Sequence, residues 1–494
     1  MSENPVRVRF APSPTGHMHL GSARTALYNY LLAKKTGGKF ILRIEDTDQK
    51  RFVPGAEQEL IDGLHWLGLN YDEGPDIGGP YGPYRQTDRH AIYQEHVKLL
   101  VDLGKAFPCF CTSERLDLVR LEQQKQKINT HYDGFCRDIE PVEAARRIAA
   151  GEKHVVRFKM PKEGTTTAVD AIRGPITIEN RLLDDSVIMK SDGWPTYHLA
   201  AMVDDHLMKI THVFRGSEWL GTFPLHVNII RAFGWEEPQW VHLSVFLKPS
   251  GKGKMSKRET AEALKDGYSI FIKDMHELGF IPEGLNNWAA LMGWGAGETE
   301  DVLALEEMIE KFEIKRLNAS PAAINFAKLD YFNGEHIRRL KNEDLAARLI
   351  PYFEKAGLQV DKPKLEKIIP IIRERLVTLD DCLPFAAWFF RDEININPSE
   401  LVGKNMTPAE SLAVAKKIFY VLDQLPSLSH SIAETPMRSL IEELGLSPNQ
   451  VFGLLRVAVT GQMVSPPLFE SMEIVGKDKV MARLKIAIGL LEKM

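Results

Sequence analysis

This sequence predicts an α/β nucleotide-binding fold with an inserted α+β segment, followed by an all-helical C-terminal region. Three observations predict it. A strand, loop, helix, strand run opens the chain. A cysteine-bearing stretch of short strands interrupts the α/β pattern near residue 107. After about Thr260, apolar residues recur almost only at helical spacing.

Val6 to Phe10 alternates apolar and basic residues, as a first strand does. Ser22 to Lys34 carries Ala23, Ala26, Leu27, Tyr30, Leu31 and Leu32 at helical spacing, and Gly37-Gly38 ends the run. Lys39 to Ile44 then reads as a second strand. Such a βαβ unit carries its ligand loop at the carboxyl end of the first strand. A further helix is expected from Thr87 to about Leu103, stopped by Gly104. Residues 107–194 hold three of the four cysteines and the strand-like runs HVVRFKM and GPITIEN. They read as an insertion between two halves of the nucleotide fold, closed by the strand-like DSVIMKS. THVFRG and WVHLSVFL resume the α/β pattern up to about residue 260. Beyond it, NNWAALMGWG, LAARLIPYFEKAG, KKIFYVLDQL and MRSLIEELG carry apolar stripes of period 3.6. The expected division is therefore 1–106, 107–194, 195–260, 261–333 and 334–494.

At 494 residues the chain can bury several cores, and its 44% apolar and 26% charged content is that of a soluble globular protein. A net charge of −5 carries no nucleic-acid signal, although a bulk value can hide a basic face. No apolar run reaches bilayer-spanning length, and MSENPVRVRF turns from polar to strand-like, unlike a signal peptide. Four cysteines in so long a chain do not make a disulfide framework, so a cytoplasmic setting is expected.

Two loops carry the chemistry. KPSGKGKMSKRE gathers Lys248, Lys252, Lys254, Lys257 and Arg258, with Gly251 and Gly253 letting the backbone bend around a ligand. Cations at that density would stabilise a departing pyrophosphate. APSPTGHMHLG fixes an extended approach with Pro12 and Pro14, then opens a helix near His19 and Gly21, where bare amides bind anions. Either loop alone could be a solvated surface segment; both together, in this order, point to a nucleoside triphosphate.

Together the loops resemble the two signatures of class I aminoacyl-tRNA synthetases. His19-Leu20-Gly21-Ser22 matches the HIGH motif, with Ser22 in place of its second histidine, and Lys254-Met255-Ser256-Lys257-Arg258 matches KMSKS. The flanks RFAPSPTGHMHLGSARTALYNYLLA, FILRIEDTD, PTYHLA, VDDH and RGSEWL resemble the glutamate and glutamine branch. The helical C-terminal region, in place of β-barrels, resembles bacterial-type glutamyl-tRNA synthetases in particular. The resemblance implies a Rossmann-type catalytic domain, an acceptor-stem-binding insertion, a helical stem-contact region and helical anticodon-binding domains, in a monomeric cytoplasmic enzyme.

The activity implied is ATP-dependent attachment of L-glutamate to tRNA(Glu) through a glutamyl-adenylate, with tRNA needed before the adenylate forms. Charging of tRNA(Gln) as well, or a glutaminyl enzyme, are the alternatives. ATP is a substrate, accompanied by Mg²⁺. His19, Lys254 and Lys257 take the catalytic roles. His19, Gly21, Ser22, Lys254, Met255, Ser256 and Lys257 contact ATP. Arg9 and Arg215 hold the carboxylates of glutamate, Glu45 and Tyr197 surround its ammonium, and Ser13 helps to position it. Ala201 stands where many relatives have Asn.

Cys109-Phe110-Cys111 and Cys136 have a spacing that can close a tetrahedral zinc site in a loop-rich insertion. Some glutamyl synthetases have a histidine two residues past the third cysteine; here that position is Asp138. Tyr132 is the other fourth-ligand candidate. Three reduced thiols without metal is the reading that stays open beside zinc.

Overall fold

The computed structural model describes residues 5–51, 53–253, 255, 257–297 and 301–494. The chain forms two compact units. The first comprises Met1–Met275 and Leu285–Phe326, the second His276–Gly284 and Ala327–Met494.

The first unit opens with β1 (Arg7–Phe10), α1 (Leu20–Thr36) and β2 (Lys39–Leu42). His19 caps α1 and Gly37 closes it in the left-handed conformation, with Lys34 and Lys35 complementing the dipole in its last turn. Next come α2 (Ala56–Trp66) and α3 (His90–Asp102), the latter led in by a 3₁₀ turn over Gln86–Arg89 where sequence spacing predicted helix from Thr87. The inserted stretch supplies β3 (Ala106–Cys109), α4 (Ser113–Lys125), α5 (Pro141–Ala149), β4 (Val155–Phe158), β5 (Thr165–Asp170), β6 (Gly174–Glu179) and β7 (Val187–Met189). The chain then returns through α6 (Tyr197–Leu207), β8 (His212–Gly216), α7 (Phe223–Ala232) and β9 (Gln239–Leu243), and α8 (Lys257–Lys265) follows the lysine-rich loop.

The main sheet has the order β2-β1-β8-β9-β5-β6. Its strands are parallel except for the last pair, the antiparallel hairpin β5–β6. This hairpin departs from the sequence reading, which gave GPITIEN to the insertion. β5 pairs β9 at Asp170 and Trp240 and so extends the nucleotide sheet. The insertion keeps a separate antiparallel sheet, β3-β4-β7. Strands also continue past residue 260: Ala322–Ala323 pairs Phe246–Leu247.

The sheet core joins Ile41, Val213 and Trp240 to Leu199 and Val203 of α6 and Ile230 of α7. Each fully buried aliphatic side chain of this kind contributes roughly 1.5–3 kcal/mol. In the second unit, helices such as Asn342–Lys355, Lys362–Ile372, Pro408–Gln424 and Lys477–Leu491 bury the period-3.6 stripes, with Leu349, Phe353, Ile368, Ile418 and Leu484 wholly inside. Asp361 caps the second of these by accepting from the Lys364 amide, and Thr407 and Glu410 form a capping box on the third. Among the described residues, no helix is long and apolar enough to cross a membrane.

Candidate active site

Parallel strands deliver side chains to one edge, and this sheet delivers charge. Arg9 near the end of β1 and Arg215 near the end of β8 are both buried, as are Arg43 and Glu45 just beyond β2. Arg9 donates through Nε to Asp205 Oδ1 (3.0 Å) and through Nη1 to the Phe214 carbonyl (3.0 Å). Arg43, wholly buried, donates to Asp205 Oδ1 (2.7 Å) and to Glu45 Oε1 (2.9 Å). Asp205, on α6, thus joins β1, the end of β2 and its own helix. The Arg9 and Arg43 charges hold its carboxyl low against the upward push of burial, and its Oδ2 has no hydrogen-bond partner. Burial raises the Glu45 carboxyl, with Arg43 and Arg9 acting against it.

Arg9 and Arg43 therefore share the carboxylates Glu45 and Asp205, and Arg43 Nε also lies 3.7 Å from Asp204 Oδ2. The next pair outward is balanced: Arg89 Nε donates to Asp204 Oδ1 at 2.7 Å, and Gln86 and Tyr93 fill Asp204 Oδ2. A buried guanidinium with no carboxylate paired to it directly is costly unless an anion completes it.

Arg215 is in that position: among the described residues no carboxylate is shown paired with it directly. Its Nε donates to His242 Nε2 (2.9 Å), and its Nη1 lies 2.7 Å from His226 Nδ1. Its Nη2 is buried with no hydrogen bond of good geometry, and the Tyr197 phenol acts on the guanidinium from close by. The guanidinium lies over Trp240, with its carbon 4.8 Å from the ring centre. Tyr197 begins α6 and stacks on Trp219 with centroids 4.2 Å apart. Burial raises its phenol, with Glu45 pushing the same way and Arg215 and Arg9 opposing, so Tyr197 sits within the field of all three. Ala201, buried one turn before Asp205 on α6, offers no polar group. Ser13 lies outside this cluster on an exposed turn, its carbonyl accepting from Thr15. Asp46, neighbour of Glu45, accepts from the Thr87 amide and hydroxyl at 2.9 and 2.6 Å.

The nucleotide loops are built differently. His19 is exposed at the start of α1. Its Nδ1 accepts from the Ser22 amide (3.1 Å), which puts the ring proton on Nε2, a donor for phosphate or ribose oxygens. Ser22 returns the cap, its hydroxyl bonding the His19 backbone. A Cβ at position 21 would stand 3.1 Å from the His19 ring, so Gly21 makes room for that imidazole. In the second loop Gly251 (φ 75°) and Gly253 (φ 74°) adopt left-handed conformations. Met255 borders a cavity of about 410 Å³ with Lys248, Glu259 and Tyr268. Lys254 and Ser256 lie outside the described residues. Lys257 opens α8 and is described for its backbone alone.

Cys109, Cys111 and Cys136 converge with their sulfurs within 4.8 Å of one another, all as thiols. The Tyr132 hydroxyl lies 3.4 Å from Cys109 Sγ and 3.7 Å from Cys111 Sγ. Hydrogen bonds from Cys136, Tyr132 and neighbouring groups lower the Cys109 thiol against the upward push of burial. Asp138 instead turns to Lys159 (3.2 Å) and is largely exposed. The three sulfurs are donors of the kind zinc takes, and the Tyr132 phenol beside them is kept protonated by burial and the neighbouring thiols.

Sequence reasoning missed Arg43, Asp205, His226 and His242. Arg43 had a readable signal: a charge inside the apolar run FILRIE has to be paired when buried. The histidines had none, because their partners lie on other elements.

The catalytic-domain model of class I tRNA synthetases for E and Q matches residues 5–331, and an anticodon-binding-domain model matches residues 344–488. A protein of Dehalococcoides mccartyi strain 195 named glutamate–tRNA ligase is 42% identical over 99% of both chains. One from Chloroflexus aurantiacus with the same name is 42% identical over 100% of this chain and 99% of its own. The crystal structure of a glutamate tRNA ligase from Elizabethkingia meningosepticum, in complex with its amino acid, superimposes with a TM-score of 0.89. It is 34% identical and covers 98% of this chain and 99% of that one.

Proposed function

This chain belongs to the class I tRNA synthetases for glutamate and glutamine, among the glutamate–tRNA ligases, and we propose that it joins L-glutamate to tRNA(Glu) through a glutamyl-adenylate. The observation that carries the choice of amino acid is the Arg215 Nη2 group, buried without a hydrogen bond on a guanidinium whose side-chain partners are two histidines. Glutamate brings two carboxylates and one ammonium, hence one net negative charge. Arg215 takes the side-chain carboxylate and Arg9 helps to hold the substrate's carboxylates. Glu45 and the open Oδ2 of Asp205 face the ammonium, with Tyr197 alongside. A neutral amide would leave Arg215 buried and unpaired, a penalty of a few kcal/mol.

The α-carboxylate attacks the α-phosphorus of ATP, and pyrophosphate leaves. The terminal ribose hydroxyl of tRNA then attacks the adenylate carbonyl, releasing AMP. Neither step needs a nucleophile from the protein, so catalysis is positioning and charge stabilisation. His19 donates from Nε2 to the nucleotide, and Lys254 and Lys257 stabilise the charge that develops on the departing pyrophosphate. Mg²⁺ accompanies the triphosphate. Gly21, Ser22, Met255 and Ser256 shape the loops, and Ser13 lies on the approach to them.

Residues 107–194, apart from the hairpin over Thr165–Glu179 that joins the nucleotide sheet, serve the acceptor stem, 261–333 contact the stem and 334–494 read the anticodon, in a monomeric cytoplasmic enzyme. Cys109, Cys111, Cys136 and Tyr132 would hold a zinc ion that cross-links the insertion. Charging of purified tRNA(Glu) and tRNA(Gln), with pyrophosphate exchange run with and without tRNA, tests the function. Glutamylation of tRNA(Glu) and tRNA-dependent exchange are expected. Equal charging of tRNA(Gln) would make the enzyme non-discriminating, and charging with glutamine alone would overturn the reading.

A further inference from the structure

Two histidines hold the guanidinium that meets the substrate, and both contacts constrain protonation. Arginine has only donors. His242 Nε2, facing Arg215 Nε at 2.9 Å, must therefore be bare, and the imidazole proton must be on Nδ1. Nδ1 lies 2.8 Å from Asp170 Oδ2, a wholly buried acceptor for that proton. Asp170 is itself fixed: its Oδ1 accepts from the amides of Ile172 and Arg173 at 3.0 and 2.9 Å, and its Oδ2 also takes the His242 amide. His226 is the mirror case. Its Nδ1 faces Arg215 Nη1 at 2.7 Å and must be bare, so its proton sits on Nε2, 2.8 Å from His198 Nδ1. His226 and His242 are both wholly buried.

We propose that His242 and His226 are positioning residues, two neutral imidazoles of opposite tautomer that lock Arg215 by its Nε and Nη1 edges and leave Nη2 for the side-chain carboxylate of glutamate. The proposal rests on the reading that Arg215 meets that carboxylate. Its physical content is the choice of acceptor. A protein carboxylate in either place would satisfy the same hydrogen bonds and also cancel the charge, and the pocket would then tolerate a neutral amide. An imidazole satisfies the bonds and leaves the charge for the substrate. The surroundings favour neutrality. Burial lowers His226 most, Arg215, His198, His242 and Arg9 lower it further, and Tyr197 packs edge-on against it. Burial, Arg215 and Arg173 lower His242 against the upward pull of Asp170.

Nitrogen-15 spectra of histidine-labelled protein test the tautomers without reference to activity, with assignments from His226→Asn and His242→Gln. The expected result is Nδ1–H for His242 and Nε2–H for His226, unchanged from pH 8 to about pH 6. An imidazolium at either site at pH 7, or the other tautomer, overturns the proposal. Kinetics supply a second arm, with two variants of the same shape at the Nδ1 position. His226→Asn keeps a neutral acceptor and should hold the glutamate KM within about threefold. His226→Asp adds a charge and should raise it by roughly 30-fold or more, with the ATP KM and kcat little changed. Equal glutamate KM values for the two variants would refute the role assigned to neutrality. Should Arg215→Ala leave the glutamate KM unchanged while the tautomers stand as described, the pocket reading fails and the hydrogen-bond assignment survives.

Discussion

The two ends of the site differ in how much of each the protein assembles before a substrate arrives. At the proposed glutamate end, Arg9, Arg43, Arg215, Glu45 and Asp205 are buried and held by hydrogen bonds of 2.7–3.0 Å. At the nucleotide end, His19 is exposed and the second loop turns on glycines in left-handed conformations. The difference follows from the tasks. Distinguishing an acid from an amide requires a desolvated charge whose position is fixed. Stabilising a leaving pyrophosphate requires cations that meet charge as it develops, which a glycine-jointed loop can supply.

The comparison is broken most directly at its nucleotide end. Lys257→Ala should lower the rate of adenylate formation by about 10²–10³ and leave the glutamate KM nearly unchanged. Pyrophosphate exchange over a range of glutamate concentrations checks both; a matching rise in glutamate KM would mean that the two ends are not separate.

At the glutamate end the largest structural cost belongs to Asp205. Asp205→Asn removes the carboxylate shared by Arg9 and Arg43, and should destabilise the first unit by about 3–5 kcal/mol. Denaturant unfolding followed by tryptophan fluorescence measures it. A loss below about 1 kcal/mol would mean that the two arginines find other partners.

Cys109→Ser should spare both ends. If zinc joins the three thiolates and Tyr132, the variant should release about one equivalent of metal and lower the melting temperature of the insertion, while exchange kinetics stay within a few-fold. Metal analysis of wild-type protein purified under reducing conditions that finds no zinc would remove the site.

The smallest effect is on acid stability. His198 and His206 are both held near 4, below the usual value of about 6.5, chiefly by burial. A depressed histidine pKa means that the unfolded chain binds the proton first. The stability is therefore complete above about pH 6.5 and is lost as pH falls toward 4. Melting temperatures of the first unit should be flat above that range and decline through it. His206→Phe, which keeps an aromatic face against Trp235, should decline less. Equal slopes for the two proteins would remove His206 from the acid response.

The same contrast explains what the sequence could reveal. The nucleotide end is local: His19 to Ser22 and Lys254 to Lys257 are short segments whose spacing is their signature. The βαβ unit was legible for the same reason, since β1, α1 and β2 follow one another with their apolar periods intact. The glutamate end is assembled from afar. Arg9 and Arg215 were legible as charges at strand ends, but Arg43 finds Asp205 across 162 residues and Arg215 finds His242 on a neighbouring strand. Asp170, which sets the His242 proton, stands at the end of β5, a strand whose alternating pattern fits any half-exposed hairpin. Nothing in TTTAVD says that it pairs β9. Register is a property of the folded sheet, and the proposed acid-selecting apparatus depends on it.

The central claim is that Arg215, charged and left with one open edge, selects the acid over the amide. Steady-state tRNA charging by Arg215→Ala with glutamate and with glutamine, beside a melting curve, tests it. The account predicts a glutamate KM raised by about 100-fold, an ATP KM little changed, loss of most of the preference for glutamate, and a melting temperature close to that of the wild type. An unchanged glutamate KM together with a large fall in melting temperature would contradict it.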